Sequence, residues 1–237
     1  MTYEGKENLE FLERLAKKYN RFLAFEFIRA FHNAGMSQDD LILDFGAGIG
    51  TLAREIQSLL PNPIHCLEID IEMCESLERA GFQSFSDIEG LSRSYKFIYM
   101  SNVLEHIEQD VATLSELRHK VSATPGVLVI YVPAFEILFS EMDKQVGHFR
   151  RYSKASVRQV VLEAGWREVS CEYVDSLGFL SVFILKFLLR KDLSISSSSS
   201  ILIKIYDRFF FPLSRVIDKM GARHFLGKNL LLVASNV

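Results

Sequence analysis

Three carboxylates stand where they could grip a small polar ligand. Asp44 follows the apolar run Leu41–Leu43 and is itself followed by glycines at Gly46, Gly48 and Gly50. Glycine at alternate positions lets a backbone turn sharply, adopt positive φ and approach a ligand with no Cβ in the way. The third glycine comes one position early for the Gly-x-Gly-x-x-Gly turn that seats a pyrophosphate on a helix N-terminus. An acid beside such a turn would repel phosphate, yet it can hold an ammonium directly or through water. Glu68 ends the next apolar run, Ile64–Leu67, where an ionised carboxylate accepts two hydrogen bonds from ribose hydroxyls. Asp87 follows Phe82–Phe85, in place to receive the exocyclic amine of adenine. Each acid alone reads as a solvated loop residue. In register with the glycine turn, the three describe adenosine carrying an amino-acid tail, which is S-adenosylmethionine.

These side chains need a scaffold that brings successive strand ends together. Strands are expected at Leu41–Phe45, Ile64–Glu68, Phe82–Phe85, Phe97–Met100, Val127–Val132, Arg167–Val174 and Leu230–Ala234. Helices are expected at Thr51–Leu60, Ile71–Ala80, Asp110–Ser122 and Ser153–Ala164, with Ser153 as an N-cap. Such alternation with short loops predicts an α/β, Rossmann-like doubly wound sheet with ligands at the carboxyl ends of its strands. Before it, Leu9–Ala34 has helical periodicity and is expected to break near Asn20, with Gly35 as a C-terminal cap. Thr124–Gly126 reads as a turn and Ser196–Ser200 as a flexible surface loop. The chain thus divides into an N-terminal helical cover (1–40), a cofactor-binding core (41–177), an apolar helical insertion (178–228) and a final core strand (229–237).

Leu43–Gly50, Cys66–Met73, Ser86-Asp87 and Phe97–Ile107 resemble successive motifs of class I S-adenosylmethionine-dependent methyltransferases, in the branch that includes the ubiquinone-type enzymes. The resemblance covers about Leu41–Val132 well and later strands loosely. It implies a seven-stranded sheet whose last strand is antiparallel and inserted between the fifth and sixth. It also implies that Gly46, Ala47 and Gly48 line the methionine tail with Asp44 near its amino group. Glu68 would bind the ribose, Ile69 and Ile88 would pack on adenine beside Asp87, and Ser101 and Asn102 would close over the tail. Glu68 stands where Asp is commoner, one methylene longer and still able to hold a diol. S-adenosylhomocysteine would be the product.

Methyl transfer to an oxygen of high pKa calls for a proton acceptor, and histidine is suited to that near neutrality. Of six histidines, His106 follows the fourth strand beside the expected methyl donor. There it serves either as a base or to order its loop. His148 lies in Gly147–Tyr152, after the fifth strand and on the same sheet edge, where it would act as base or orient the nucleophile. Beside it, Arg150, Arg151 and Tyr152 are candidates to bind an anionic group of the substrate, or the arginines cap neighbouring carboxylates.

A net charge of −3 with no long basic tract gives no case for nucleic-acid binding. Three scattered cysteines indicate neither a disulfide framework nor a metal site. With no signal segment and no spanning apolar run, a cytoplasmic protein is expected, peripheral to the membrane if the insertion touches it. That insertion carries more apolar surface than a lone segment can leave exposed. It packs on itself and the N-terminal helices, forms a homodimer interface, or rests on a membrane surface. The expected partner is a small-molecule methyl acceptor (sugar-, lipid- or quinone-like), methylated at oxygen. The alternatives are N-methylation of an amino sugar or protein, and a non-catalytic cofactor-binding module.

Overall fold

The structure, a computed structural model, describes residues 15–91, 95–121, 126–188 and 199–237. Its seven strands are β1 (Leu41–Phe45), β2 (Ile64–Leu67), β3 (Gln83–Phe85), β4 (Tyr95–Ser101), β5 (Val127–Pro133), β6 (Arg167–Val174) and β7 (Asn229–Ser235). They form one sheet in the order β3-β2-β1-β4-β5-β7-β6. The first five strands pair in parallel, and β7 is antiparallel to both neighbours. The last strand therefore enters between the fifth and the sixth, as expected. The order reverses between β1 and β4, and at such a switch point the carboxyl ends leave a crevice.

Alternation along the strands feeds two apolar layers. Leu128, Ile130 and Val132 of β5 join one layer with Leu114 and Leu117 of α4 (Asp110–Lys120) and Val157 and Val161 of α6 (Lys154–Glu163). Trp166 is buried there, its Nε1 donating to the Leu114 carbonyl at 2.9 Å, so its polar atom is satisfied in the core. Val127, Val129 and Tyr131 face the other way, toward Leu23, Phe27 and Phe31 of α1 (Lys17–Asn33) and Ala53 and Ile56 of α2 (Thr51–Gln57). Burying each such side chain stabilises the fold by about 1.5–3 kcal/mol. The remaining short helices are α3 (Ile71–Arg79), capped by Asp70, and α5 (Glu141–Gln145), capped by Ser140. Ser153 caps α6 as expected, accepting from the Ser156 amide.

Asn20 does not break the first helix. Its amide donates to the Ala16 carbonyl at 2.9 Å and α1 runs on to Asn33, because the flanking aromatic side chains have a sheet face to pack against. Gly35 follows with φ +68°, so the C-terminal cap is where the sequence put it. The expected start of this helix at Leu9, most of the Thr124–Gly126 turn and Ser196–Ser198 lie outside the described residues.

The insertion starts slightly earlier than expected. α7 (Ser176–Phe183) is capped by Asp175 and continues as a π turn over Ile184–Leu188. α8 (Ser199–Ile205) passes through a second π segment, Tyr206–Phe210, into α9 (Phe211–Lys219). This part packs on α1. Asp207 accepts hydrogen bonds from the amides of Lys18 and Tyr19 at 3.0 and 2.9 Å. Phe211 meets the rings of Tyr19 and Phe22, and the Arg215 guanidinium lies 3.9 Å above Phe22. Ile201, Leu202, Ile205 and Phe209 nevertheless stay exposed. Among the described residues no helix is long and apolar enough to cross a membrane.

Candidate active site

The glycine turn leaves β1 at the switch point and delivers the chain to α2. Gly46, Gly48 and Gly50 all have positive φ, between 55° and 78°. The amides of Gly46 and Ala47 donate to the Leu67 carbonyl at 2.8 and 3.0 Å, which ties the turn to the end of β2. A Cβ at Gly46 would come within 2.7 Å of Val103 Cγ1 and closer still to Cγ2. Glu68 lies over the same turn. Its Oε2 accepts from the Gly48 amide at 2.8 Å and its Oε1 from the Asp70 amide at 3.1 Å. Each of these oxygens keeps a second lone pair for a hydroxyl.

Asp44 is only 3% exposed, and its Oδ2 has no hydrogen-bond partner. Burial, with the Glu68 charge adding to it, pushes its carboxyl up to about 7. A buried carboxyl group with one oxygen unpartnered at a nucleotide-type turn is what an ammonium group would complete, so the residues present fit S-adenosylmethionine. Ile69 presents an exposed side chain beside Glu68, and Ile88 is half-buried against the core. Asp87 is exposed and accepts from the Gly90 amide at 2.7 Å.

Beyond the glycines, the described residues with positive φ are Asn102, Phe135 and Asp175. They fall just past the carboxyl ends of β4, β5 and β6. Asn and Asp tolerate this region and phenylalanine does not, so Phe135 carries real backbone strain. Its ring is held by stacking on Tyr173 at 4.7 Å and by an edge contact with Phe179 of α7. Asn102 donates its amide to the Tyr131 carbonyl, and its side chain reaches Ser101 Oγ at 3.4 Å.

His106 and His148 come together although some forty residues separate them. Their ring centroids are 4.6 Å apart, edge to face. His148 Nδ1 lies 2.8 Å from Asp143 Oδ1, and its Nε2 lies 3.9 Å from Glu105 Oε1. Asp143 is the hub of this loop, accepting two hydrogen bonds from Arg151 at 3.0 Å and two from Ser140 at 2.7 and 2.8 Å. Burial opposes its ionisation, but the bonds from His148, Arg151 and Ser140 outweigh that and hold it below the usual carboxylate range. Glu105 is fully buried, and burial pushes it up to about 8. Burial, together with His148, pulls His106 down to about 4, so it is neutral near pH 7.

Of the two sequence readings of the arginines, the pairing with carboxylates of the chain is the one the geometry has. Arg150 reaches Asp110 at 2.8 Å and the Glu108 carbonyl, and Arg151 grips Asp143. Tyr152 is buried, its hydroxyl donating to Asp110 at 2.9 Å. Arg150 and Tyr152 lock the loop after β5 onto the segment after β4, and Arg151 ties that loop to itself. From the sequence Glu105 and Asp110 had no role, and Asp143 stood out only as a polar member of the long loop after the fifth strand. The available signals were local, an acid adjacent to His106 and another five residues before His148. Neither local spacing says that the two loops meet.

The methyltransferase-domain family model matches residues 7–170, well over half of the chain. No curated protein sequence matches. Solved structures share the fold at low identity. A SAM-dependent methyltransferase from Archaeoglobus fulgidus is 16% identical with TM-score 0.62, the match covering 96% of this chain and 99% of that one. Geranyl diphosphate C-methyltransferase from Streptomyces coelicolor A3(2), solved with Mg2+, geranyl diphosphate and S-adenosyl-L-homocysteine, is 12% identical with TM-score 0.61, covering 92% and 81%. Phosphoethanolamine N-methyltransferase 2 from Haemonchus contortus, in complex with S-adenosyl-L-methionine, is 16% identical with TM-score 0.58, covering 95% and 59%.

Proposed function

This chain belongs to the methyltransferase-domain family, and from that membership we propose that it moves the methyl group of S-adenosylmethionine onto an oxygen of a small, lipid-linked or quinone-like acceptor. The cofactor supplies a methyl group already activated by its sulfonium, so the protein's work is alignment and proton management. The observation that carries the choice of oxygen is the Asp143–His148 pair. Asp143 holds Nδ1 and leaves the Nε2 lone pair of His148 to take the acceptor's proton or to orient its oxygen. A neutral amine, already nucleophilic, would need less help from such a group. His106, neutral and in contact with His148, joins it at this position.

The apolar character of the acceptor is supported by the insertion. Ile201, Ile205 and Phe209 are exposed at helical spacing, with the exposed Lys204 and Arg208 beside them. Such a stripe suits a surface that meets lipid headgroups. The same insertion reaches the strained Phe135 through Phe179, which links it to the end of β5.

The test is a transfer assay with S-adenosylmethionine radiolabelled in its methyl group, run against separated lipid, aqueous and protein fractions of the source cells. Label is expected in the lipid fraction, as a methyl ether resistant to mild alkali. Label appearing on protein, or as an N-methylamine, would overturn the reading.

A further inference from the structure

Glu105, His106 and His148 form a second chemical centre, separate from the residues given to the cofactor. Glu105 is fully buried, and neither of its carboxylate oxygens has a hydrogen-bond partner in the structure. A carboxylate in that condition is costly unless a proton or a cation completes it. Arg151, in the same loop as His148, has both its Nε and its Nη2 taken by Asp143.

One ligand atom from each of Glu105, His106 and His148 lies within 4.8 Å of the others. The ring of His148 is prepared for ligation. Asp143, held by Ser140 and Arg151, accepts from Nδ1, which leaves Nε2 for ligation, facing Glu105 at 3.9 Å. A carboxylate that fixes the far nitrogen of a histidine is the usual support around a metal-ligating imidazole. Two imidazoles and one carboxylate suit a divalent first-row transition metal, whereas magnesium and calcium favour all-oxygen surroundings. Three protein ligands also leave a coordination position open.

We propose that Glu105, His106 and His148 bind one divalent transition-metal ion of the zinc type, with the open position facing the methyl acceptor. Ligand atoms around such an ion sit roughly 3.5 Å apart, so the two loops draw together slightly when it binds. The proposal deepens the functional reading and rests on its placing His148 at the acceptor. The ion would orient the acceptor oxygen and lower its pKa so that its proton leaves to solvent, and His148 Nε2 would then fill the orienting one of its two roles, through the metal.

Titrating the metal-stripped full-length protein with cobalt(II) tests this. Expected are one equivalent bound per chain and visible absorption of a four- or five-coordinate ion, displaced by zinc. Glu105→Gln and His148→Asn should each weaken cobalt binding by about 100-fold or more, and Asp143→Asn by about 10–100-fold. Absence of stoichiometric cobalt binding by the wild-type protein, or unchanged binding in both ligand variants, would overturn the proposal. S-adenosylhomocysteine binding, measured on the same samples, uses none of the three ligands. It reports folding and judges the cofactor site separately.

Discussion

Asp143 Oδ1 sits 2.8 Å from His148 Nδ1, while Arg151 and Ser140 hold the same carboxylate from its other sides. That arrangement divides the labour of the imidazole, one nitrogen anchored to the fold and the other presented to the site. Replacing His148 with Ala should lower kcat by about 100-fold or more, the range for losing a group that takes the acceptor's proton or positions its oxygen. Asp143→Asn should lower it less and raise KM little. Methyl transfer kinetics of the two variants, with S-adenosylhomocysteine affinity as a control, check both.

Asp44 gives a pH dependence of definite sign. Its carboxyl is raised from 3.8 to about 7 in the folded protein. Its contribution to stability is therefore fully present below about pH 4 and is lost as pH rises through about 7. Without ligand, the melting temperature should decline across that window, and Asp44→Asn should flatten part of the slope. Cofactor binding runs the other way, since an ammonium prefers the ionised carboxylate. The affinity for S-adenosylmethionine should rise as pH climbs through 7, and Asp44→Asn should cost about 10–100-fold. Titration calorimetry between pH 6 and 8 reads this directly.

Gly46→Ala should be sharply destabilising. Its φ is +76° and the new methyl would run into Val103. A loss of about 2–3 kcal/mol is expected from strain and overlap together. The double variant Gly46→Ala/Val103→Ala should recover the overlap part but not the backbone part. Urea denaturation of the two single variants and the double variant separates them.

Asp207 caps α1 from the far end of the chain, through the amides of Lys18 and Tyr19. Asp207→Ala should cost about 1–2 kcal/mol. It should also raise the susceptibility of the first helix to protease before the sheet core yields, as limited proteolysis with mass mapping would reveal.

The exposed stripe of α8 and the π segment after it predicts lipid contact. The protein should sediment with anionic liposomes at low salt. Phe209→Ser combined with Leu202→Ser should weaken this several-fold, and added salt should weaken it further as the Lys204 and Arg208 attraction is screened. Failure of the wild type to sediment would remove the lipid-surface reading.

The cofactor half of the site was legible in the sequence because its signals are local. Glycine spacing after β1 and an acid at the end of β2 depend on backbone turns and strand ends, and these are written within a few residues. The seven-strand order followed from the family resemblance and not from periodicity. The histidine centre was only half legible. Both His106 and His148 stand out by position, but Glu105 gains its meaning only when the Phe149 amide donates to its carbonyl and the two loops meet. The arginines show the same limit. A pair of guanidiniums in a long loop looks ready for an anion until Asp110 and Asp143 are placed beside them. Asn20 failed as a break signal because weak helix propensity is overridden when the neighbouring aromatics have a core to bury into.

The place of β7 in the sheet has a consequence for how the chain is made. β6 is bonded only to β7, through Asn229–Ser235, and β7 is also the outer neighbour of β5. During synthesis, five parallel strands can assemble as they emerge, but β6 has no partner in the sheet until Asn229–Ser235 has left the ribosome. Until then β5 presents an edge of unpaired backbone N–H and C=O groups, open to another nascent chain. The cofactor crevice between β1 and β4 can thus form early, whereas the sheet beside Phe135 and Asp175 is completed only with β7.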